Sequence, residues 1–296
     1  MTAVTHGAVA SSAGRRPRRT RGRGGAPNPV FYLPLVLLFA FALGPIVIFL
    51  FDSLKTQSQL ATSPLGLPTD PQWHNFSDAW TTAAMGAGFV NSLVIVVGTV
   101  AGVCVIAGCG AYAMARLDLP GTGGFMTYLL VSSSLPIQLF LVPLFFLWTR
   151  LGLYDTLFGL IVIYWAIFSP FATLLLRSFL ISIPKDYDNA ARIDGAGEVA
   201  ILFRIILPIA WPGFLTIALT SALSAYNEFL LAVTFIQSNE KMPVSLTFFS
   251  FQEGYTQNYS LISAAGVIMM APMIVLFLVL QRRFVDGITS AGLGAT

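Results

Sequence analysis

The chain has 296 residues, of which 56% are hydrophobic and only 10% charged, with a mean hydropathy of +0.78. That balance excludes an ordinary soluble domain and assigns the chain to a bilayer. The net charge of +3 is not spread evenly, because Arg15, Arg16, Arg18, Arg19, Arg21 and Arg23 crowd one N-terminal run.

Residues 1–28 are rich in Ala, Ser, Gly, Pro and Arg without apolar periodicity, and read as a disordered basic cytoplasmic tail. Basic residues before a first membrane helix hold that end inside, which is a better account of them than a nucleic-acid arm. The Arg15-Arg16 and Arg18-Arg19 pairs raise an export signal, but the apolar run that follows is long and lacks a prompt small-residue cleavage site. A retained signal anchor fits better.

Crossing the hydrocarbon layer takes about 20 apolar residues. Six stretches qualify, near 30–51, 89–115, 124–148, 156–180, 209–235 and 260–281. Sorted by alternating loops, thirteen of the sixteen Lys and Arg fall on the side of the N-terminus, and only Lys55, Arg150 and Lys241 on the other. The expectation is an all-α polytopic membrane domain over 29–296 with six transmembrane helices and both termini cytoplasmic; the loops 52–88, 149–155 and 236–259 face outward. Pro34, Pro45, Pro136, Pro143, Pro170 and Pro272 predict a bent bundle. Gly98, Gly102, Gly108 and Gly110 in the second span allow close helix contact, or reflect only the glycine content usual in membrane helices. Cys104 and Cys109 read as small packing residues, with no disulfide or metal framework.

The most informative stretch is the inward loop 182–208, predicted as two short helices. Ser182 and Pro184 open the first, with Asp186 and Asp188 in the turn where the helix dipole favours negative charge, and Gly195 ends it. The second runs to Leu207, with Val199, Leu202, Phe203 and Ile206 as an apolar stripe to lie on the bundle. The first helix offers a small surface, Ala190 and Ala191 with Tyr187, suited to a cleft in a partner protein.

The segment Asn189-Ala190-Ala191-Arg192-Ile193-Asp194-Gly195, nine residues, then Ile205-x-Leu207-Pro208 resembles the signature loop of ABC-importer permeases. That loop is usually written Glu-Ala-Ala, three residues, Gly, nine residues, Ile-x-Leu-Pro, and the departure here is Asn189 in place of Glu. Asn91-Ser92-Leu93, Tyr226-Asn227-Glu228-Phe229, the stretch from Pro243 to Tyr259 and the C-terminal Gln281-Arg282-Arg283-Phe284 segment narrow the resemblance to the six-span carbohydrate-uptake subfamily of maltose type, in which Trp is common at position 226.

The resemblance implies a subunit forming half of a translocation pathway in a bacterial plasma membrane. A second homologous permease chain, a dimeric cytoplasmic ATPase and an extracellular or lipoprotein binding protein complete the assembly. ATP and Mg then sit on the ATPase, and this chain holds no cofactor; no Gly-x-x-x-x-Gly-Lys-Ser/Thr phosphate loop occurs in it. Tyr187, Asp188, Asn189, Ala190, Ala191, Asp194, Gly195, Leu207 and Pro208 are the expected ATPase-coupling residues. Phe251, Gln252 and Tyr255 are the expected binding-protein contacts.

Inside the spans, Glu228 is the only well-embedded acid, and either lines the pathway or makes a structural polar contact. Asn91, Gln138, Asn227 and the serines 132–134 can meet a sugar's hydroxyls or bond between helices. Trp73, Trp80, Trp148 and Trp165 read as an aromatic belt. His6 and His74 are too far apart in sequence to suggest a metal site. A membrane enzyme acting on lipid-linked sugars, or a secondary transporter, would need carboxylate clusters that are missing; a permease for a non-sugar substrate such as glycerol phosphate remains open.

Overall fold

The computed structural model describes residues 32–254 and 258–293, with side chains over 32–252 and 258–279. The expected tail 1–28, and Tyr255, lie outside the described residues. The described chain is helical, and its helices occur in the order expected of a polytopic bundle.

The first helix, α1 (Tyr32–Ser53), is apolar on every face, as a helix in hydrocarbon should be. Its part up to Ile46 forms a unit by itself, and the remainder belongs to the main unit. A short α2 (Gln57–Thr62) follows, closed at its start by a capping box between Thr56 and Gln59. Here Lys55, 1% exposed, donates to Asp52 at 2.8 Å and to the carbonyls of Ser63 and Pro64 at 3.2 and 2.7 Å. Its charge is thus neutralised and its hydrogens are satisfied.

After α3 (His74–Thr82) comes α4 (Met85–Arg116), 32 residues and about 48 Å long at 1.5 Å per residue. It packs chiefly against α7 (Leu157–Ser182), then against α11 (Trp211–Asn227). In lipid, helices gain no hydrophobic advantage from meeting, so association rests on close packing and interhelical bonds. The glycines of α4 supply that packing. A Cβ on Gly102 would lie 2.0 Å from Trp165 Nε1, and one on Gly98 would lie 2.8 Å from Ile161 Cδ1. Trp165 completes the joint by donating to the Gly98 carbonyl at 2.9 Å. Trp148 likewise is 8% exposed and donates to the Gly159 carbonyl at 3.0 Å. These two tryptophans bond within the bundle and are not belt residues; Trp73 and Trp80 are the exposed pair.

Two of the six expected spans are not single rods. Four helices are long and apolar enough to cross alone, and two bent pairs bring the number to six. The third stretch divides into α5 (Thr122–Ser134) and α6 (Leu141–Leu151), which, with the 3₁₀ turn Ile137–Phe140, meet at 90°. Pro136 explains the break, since it lacks an N–H and drives Leu135 to extended geometry at φ −75°, ψ 131°. The second bent pair is the helical run Glu198–Ile209 with α11, which meet at 80°; the fifth stretch is interrupted again at Glu228, also extended, between α11 and α12 (Leu230–Phe235). After α13 (Val244–Gly254), the long α14 (Tyr259–Leu293) ends the described chain, and the Tyr226 hydroxyl bonds to its Met269 carbonyl at 2.7 Å.

The loop 182–208 folds as α8 (Asp186–Ile193), α9 (Glu198–Ile201), a π-helical turn Leu202–Ile206 and α10 (Leu207–Ile209). Ser182 does not cap α8. It ends α7, its hydroxyl donating back to Phe179, and Lys185 takes the cap position without a side-chain bond. The expected stripe is also revised. Val199 and Phe203 are 71% and 58% exposed, whereas Ile201, Leu202 and Ile206 are buried. The π turn, with bonds five residues apart, brings Ile201 and Ile206 to one face where a 3.6-residue period would pair 199, 203 and 206.

Candidate functional site

Helix α8 has two unlike faces. Asp188 (1% exposed) and Ala191 (7%) turn inward, and Ala191 joins an apolar cluster with Val103, Ala107, Leu176 and Ile206. Tyr187, Asn189, Ala190 and Asp194 are exposed, so the small outward surface consists of Ala190 and Tyr187 without Ala191. Leu207 is half-buried and Pro208 exposed.

Gly195 ends α8 in a Schellman arrangement. Its φ is +83°, its N–H bonds to the Arg192 carbonyl at 3.0 Å, and the Ala196 N–H reaches back to Ala191 at 3.0 Å. A side chain at this φ is strained, which gives the glycine of the motif its physical reason.

A polar network fastens α8 and α9 to α4. The Arg116 guanidinium faces the Asp188 carboxylate, Nε to Oδ2 3.3 Å. The Tyr112 hydroxyl, one turn earlier on α4, donates to Glu198 Oε2. Arg192 donates to both Glu198 oxygens, at 2.8 and 3.2 Å, and to Asn189 Oδ1 at 3.3 Å. Sequence reasoning missed Tyr112, Arg116 and Glu198, having read Arg116 only as an inside charge. Their partners lie about 70–90 residues apart, so no local spacing could reveal them.

The polar residues expected along the pathway divide in two. Asn91 is engaged, its Nδ2 donating to the Glu240 and Met242 carbonyls at 2.8 and 3.0 Å. Glu228 is engaged as well: it accepts from Leu231 N at 2.8 Å, Ala232 N at 3.1 Å and the Tyr164 hydroxyl at 2.7 Å. The carboxylate thus caps α12 at the break in the fifth span. Gln138 and Asn227 are exposed, each beside a break, and Asn227 Nδ2 donates to the Leu223 carbonyl of its own helix at 2.9 Å. The breaks are neighbours, for Ile137 packs on the cluster that holds Tyr164, Leu231 and Ala232. The serines 132–134 bond only to carbonyls of their own helix.

Asp155 gathers the loop before α13. Its carboxylate accepts the N–H groups of Gln237 and Ser238 at 2.9 and 3.0 Å, the Ser238 hydroxyl, and Lys241 Nζ at 3.1 Å. Burial alone would raise its pKa, but these hydrogen bonds outweigh burial and hold it well below the usual carboxylate range. Of the expected binding-protein contacts, Phe251 is 5% exposed and packs in the core with Met85, Tyr226 and Ile262, so its side chain is not presented outward. Gln252 is exposed. No group of three or more His, Cys, Asp or Glu that could hold a metal occurs among the described residues.

Residues 102–290 match the family model of binding-protein-dependent transport system inner membrane components. The chain belongs to this family. It is therefore a multi-pass membrane component of a transport system. Among curated relatives, it is 32% identical to the diacetylchitobiose uptake system permease protein NgcG of Streptomyces coelicolor over 86% of this chain and 85% of the relative. It is 32% identical to the sulfoquinovosyl glycerol transport system permease protein SmoH of Agrobacterium fabrum, over 90% and 94%. It is 31% identical to the melibiose/raffinose/stachyose import permease protein MelC of Bacillus subtilis, over 83% and 89%. Among solved structures, a chain of a bacterial ABC transporter involved in import of the acidic polysaccharide alginate superposes with a TM-score of 0.75 at 23% identity, covering 86% of this chain and 95% of that one. The last likeness bears on the fold alone.

Proposed function

We propose that this family member forms one half of a translocation pathway for a saccharide, with a second permease chain supplying the other half. A binding protein delivers the substrate on the outside, and a dimeric ATPase, which binds ATP and Mg, drives import from the inside. The observation that carries this reading is the two-faced α8: Ala190 and Tyr187 are presented outward while Asp188 and Ala191 tie the helix to the bundle. A short helix so held can take a push from a partner and pass it to the spans. The excess of Lys and Arg on the side of this loop supports placing it, and both termini, in the cytoplasm.

For the pathway, the engaged state of Asn91 and Glu228 favours structural roles for both. Exposed Gln138 and Asn227, set at breaks in two spans, are the better candidates to meet substrate hydroxyls, because interrupted membrane helices are supported where they line a cavity. The relatives' uptake of sugars and glycosides supports a saccharide as cargo. The docking claim is tested by Ala190→Trp. The variant chain should reach the membrane in normal amount and fail to co-purify its ATPase, whereas undiminished co-purification would remove α8 as the docking element.

A further inference from the structure

The ion pair between the end of α4 and the first turn of α8 is only half made. Arg116 and Asp188 are each 1% exposed at the side chain, and their closest approach is 3.3 Å. Arg116 Nη2 and Asp188 Oδ1 are buried too, with no hydrogen-bond partner among the described residues. A guanidinium and a carboxylate ordinarily close as two parallel bonds of about 2.7–2.9 Å. Buried charges short of partners are costly to hold. The pair therefore has a better-satisfied arrangement about 0.5 Å closer, within reach of a small movement of α8 against α4.

What surrounds the pair restricts where such a movement goes. The bonds that leave α8 and its neighbouring turns run to α4 or to the turn just after it: Asp188 to Arg116, Arg192 through Glu198 to Tyr112, and Lys185 to Asp118 at 3.9 Å. At its other end α4 is bonded to the outer loop, through Asn91 and through Ser92, whose hydroxyl accepts the Val244 N–H at 2.9 Å. One unbroken helix thus joins the inner loop to the outer one.

We propose that Arg116 and Asp188 are positioning residues that form a latch, closing to two bonds when α8 is pressed toward the bundle and slackening when it is released. The latch hands the motion of α8 to α4, which carries it to the outer loop. This rests on the reading of α8 as the ATPase-docking helix.

The test uses the complete complex of both permease chains, the ATPase and the binding protein as isolated from cells. Phosphate release from Mg-ATP is measured with and without the binding protein. The wild-type complex should be stimulated several-fold. Asp188→Asn should bring that ratio close to one. So should the double variant Arg116→Met/Asp188→Leu, which keeps an apolar pair seated in the same space and so separates signalling from bracing. A brace alone would leave the double variant stimulated, and that result overturns the latch, as does normal stimulation of Asp188→Asn. If neither variant assembles, the pair is a brace and the latch is again overturned. A wild-type complex that shows no stimulation would instead overturn the wider account of coupling, and the latch with it.

Discussion

The Tyr164 hydroxyl donates a 2.7 Å hydrogen bond to Glu228, joining α7 to the break in the fifth span. The same carboxylate accepts two N–H groups in the first turn of α12, those of Leu231 and Ala232, so it serves as both cap and interhelical tie. Glu228→Ala should destabilise the chain by roughly 1–3 kcal/mol, the range for charged hydrogen bonds tempered by the smaller values found in membranes. Tyr164→Phe should cost less, because it removes one bond of the three. Thermal unfolding of the purified protein in detergent checks both, and equal losses would argue that the cap contributes nothing.

Gly102 has no room for a side chain against Trp165. Gly102→Ala should therefore lower stability by about 1–3 kcal/mol, the usual cost of overpacking. Trp165→Phe in the same background should recover part of it by vacating the space next to the new methyl. Stability that is unchanged in Gly102→Ala would contradict the close α4–α7 contact.

Gly195 combines a φ of +83° with an N–H bonded to Arg192. Alanine there meets only the left-handed backbone cost, about 1 kcal/mol, and should import at a reduced rate. Gly195→Pro loses the bond and cannot adopt the φ, so insertion should persist while import stops. Uptake assays on membranes with matched protein levels separate the two.

Asp155 yields a prediction with a defined sign. Its pKa is depressed in the folded chain, so the stability it contributes is whole above the ordinary Asp value near about 3.9 and is lost as pH falls below it toward the depressed one. Asp155→Asn should be less stable than wild type at pH 7 by about 1–2 kcal/mol, and the gap should narrow below about pH 4. Melting temperatures across that range give the answer; a gap constant with pH would show that the carboxylate charge is immaterial.

The sequence was most legible where the signal is local. Hydropathy found the six stretches, and the spacing from Ala190 through Gly195 to Pro208 pointed to the family before any geometry. Pro136 was visible as a proline, but a proline can also bend a helix without ending it, as Pro170 shows inside the continuous α7. What sequence could not show were pairings across the fold. Arg116 looked like one more inside charge and Trp165 like a belt residue, while Asn91 stood open between a sugar contact and a bond between segments; the partner that explains each lies roughly 65–150 residues away. The π turn at Leu202–Ile206 escaped for a different reason, since periodicity assumes the 3.6-residue register that it breaks.

The central claim is that the chain moves substrate only as part of an assembly driven through its inner loop. Uptake into proteoliposomes tests it most directly, comparing the two permease chains alone with the same chains plus ATPase, binding protein and enclosed Mg-ATP. The account predicts accumulation of the binding protein's ligand only in the complete set, abolished by Ala190→Trp. Accumulation by the permease chains without the ATPase would contradict it.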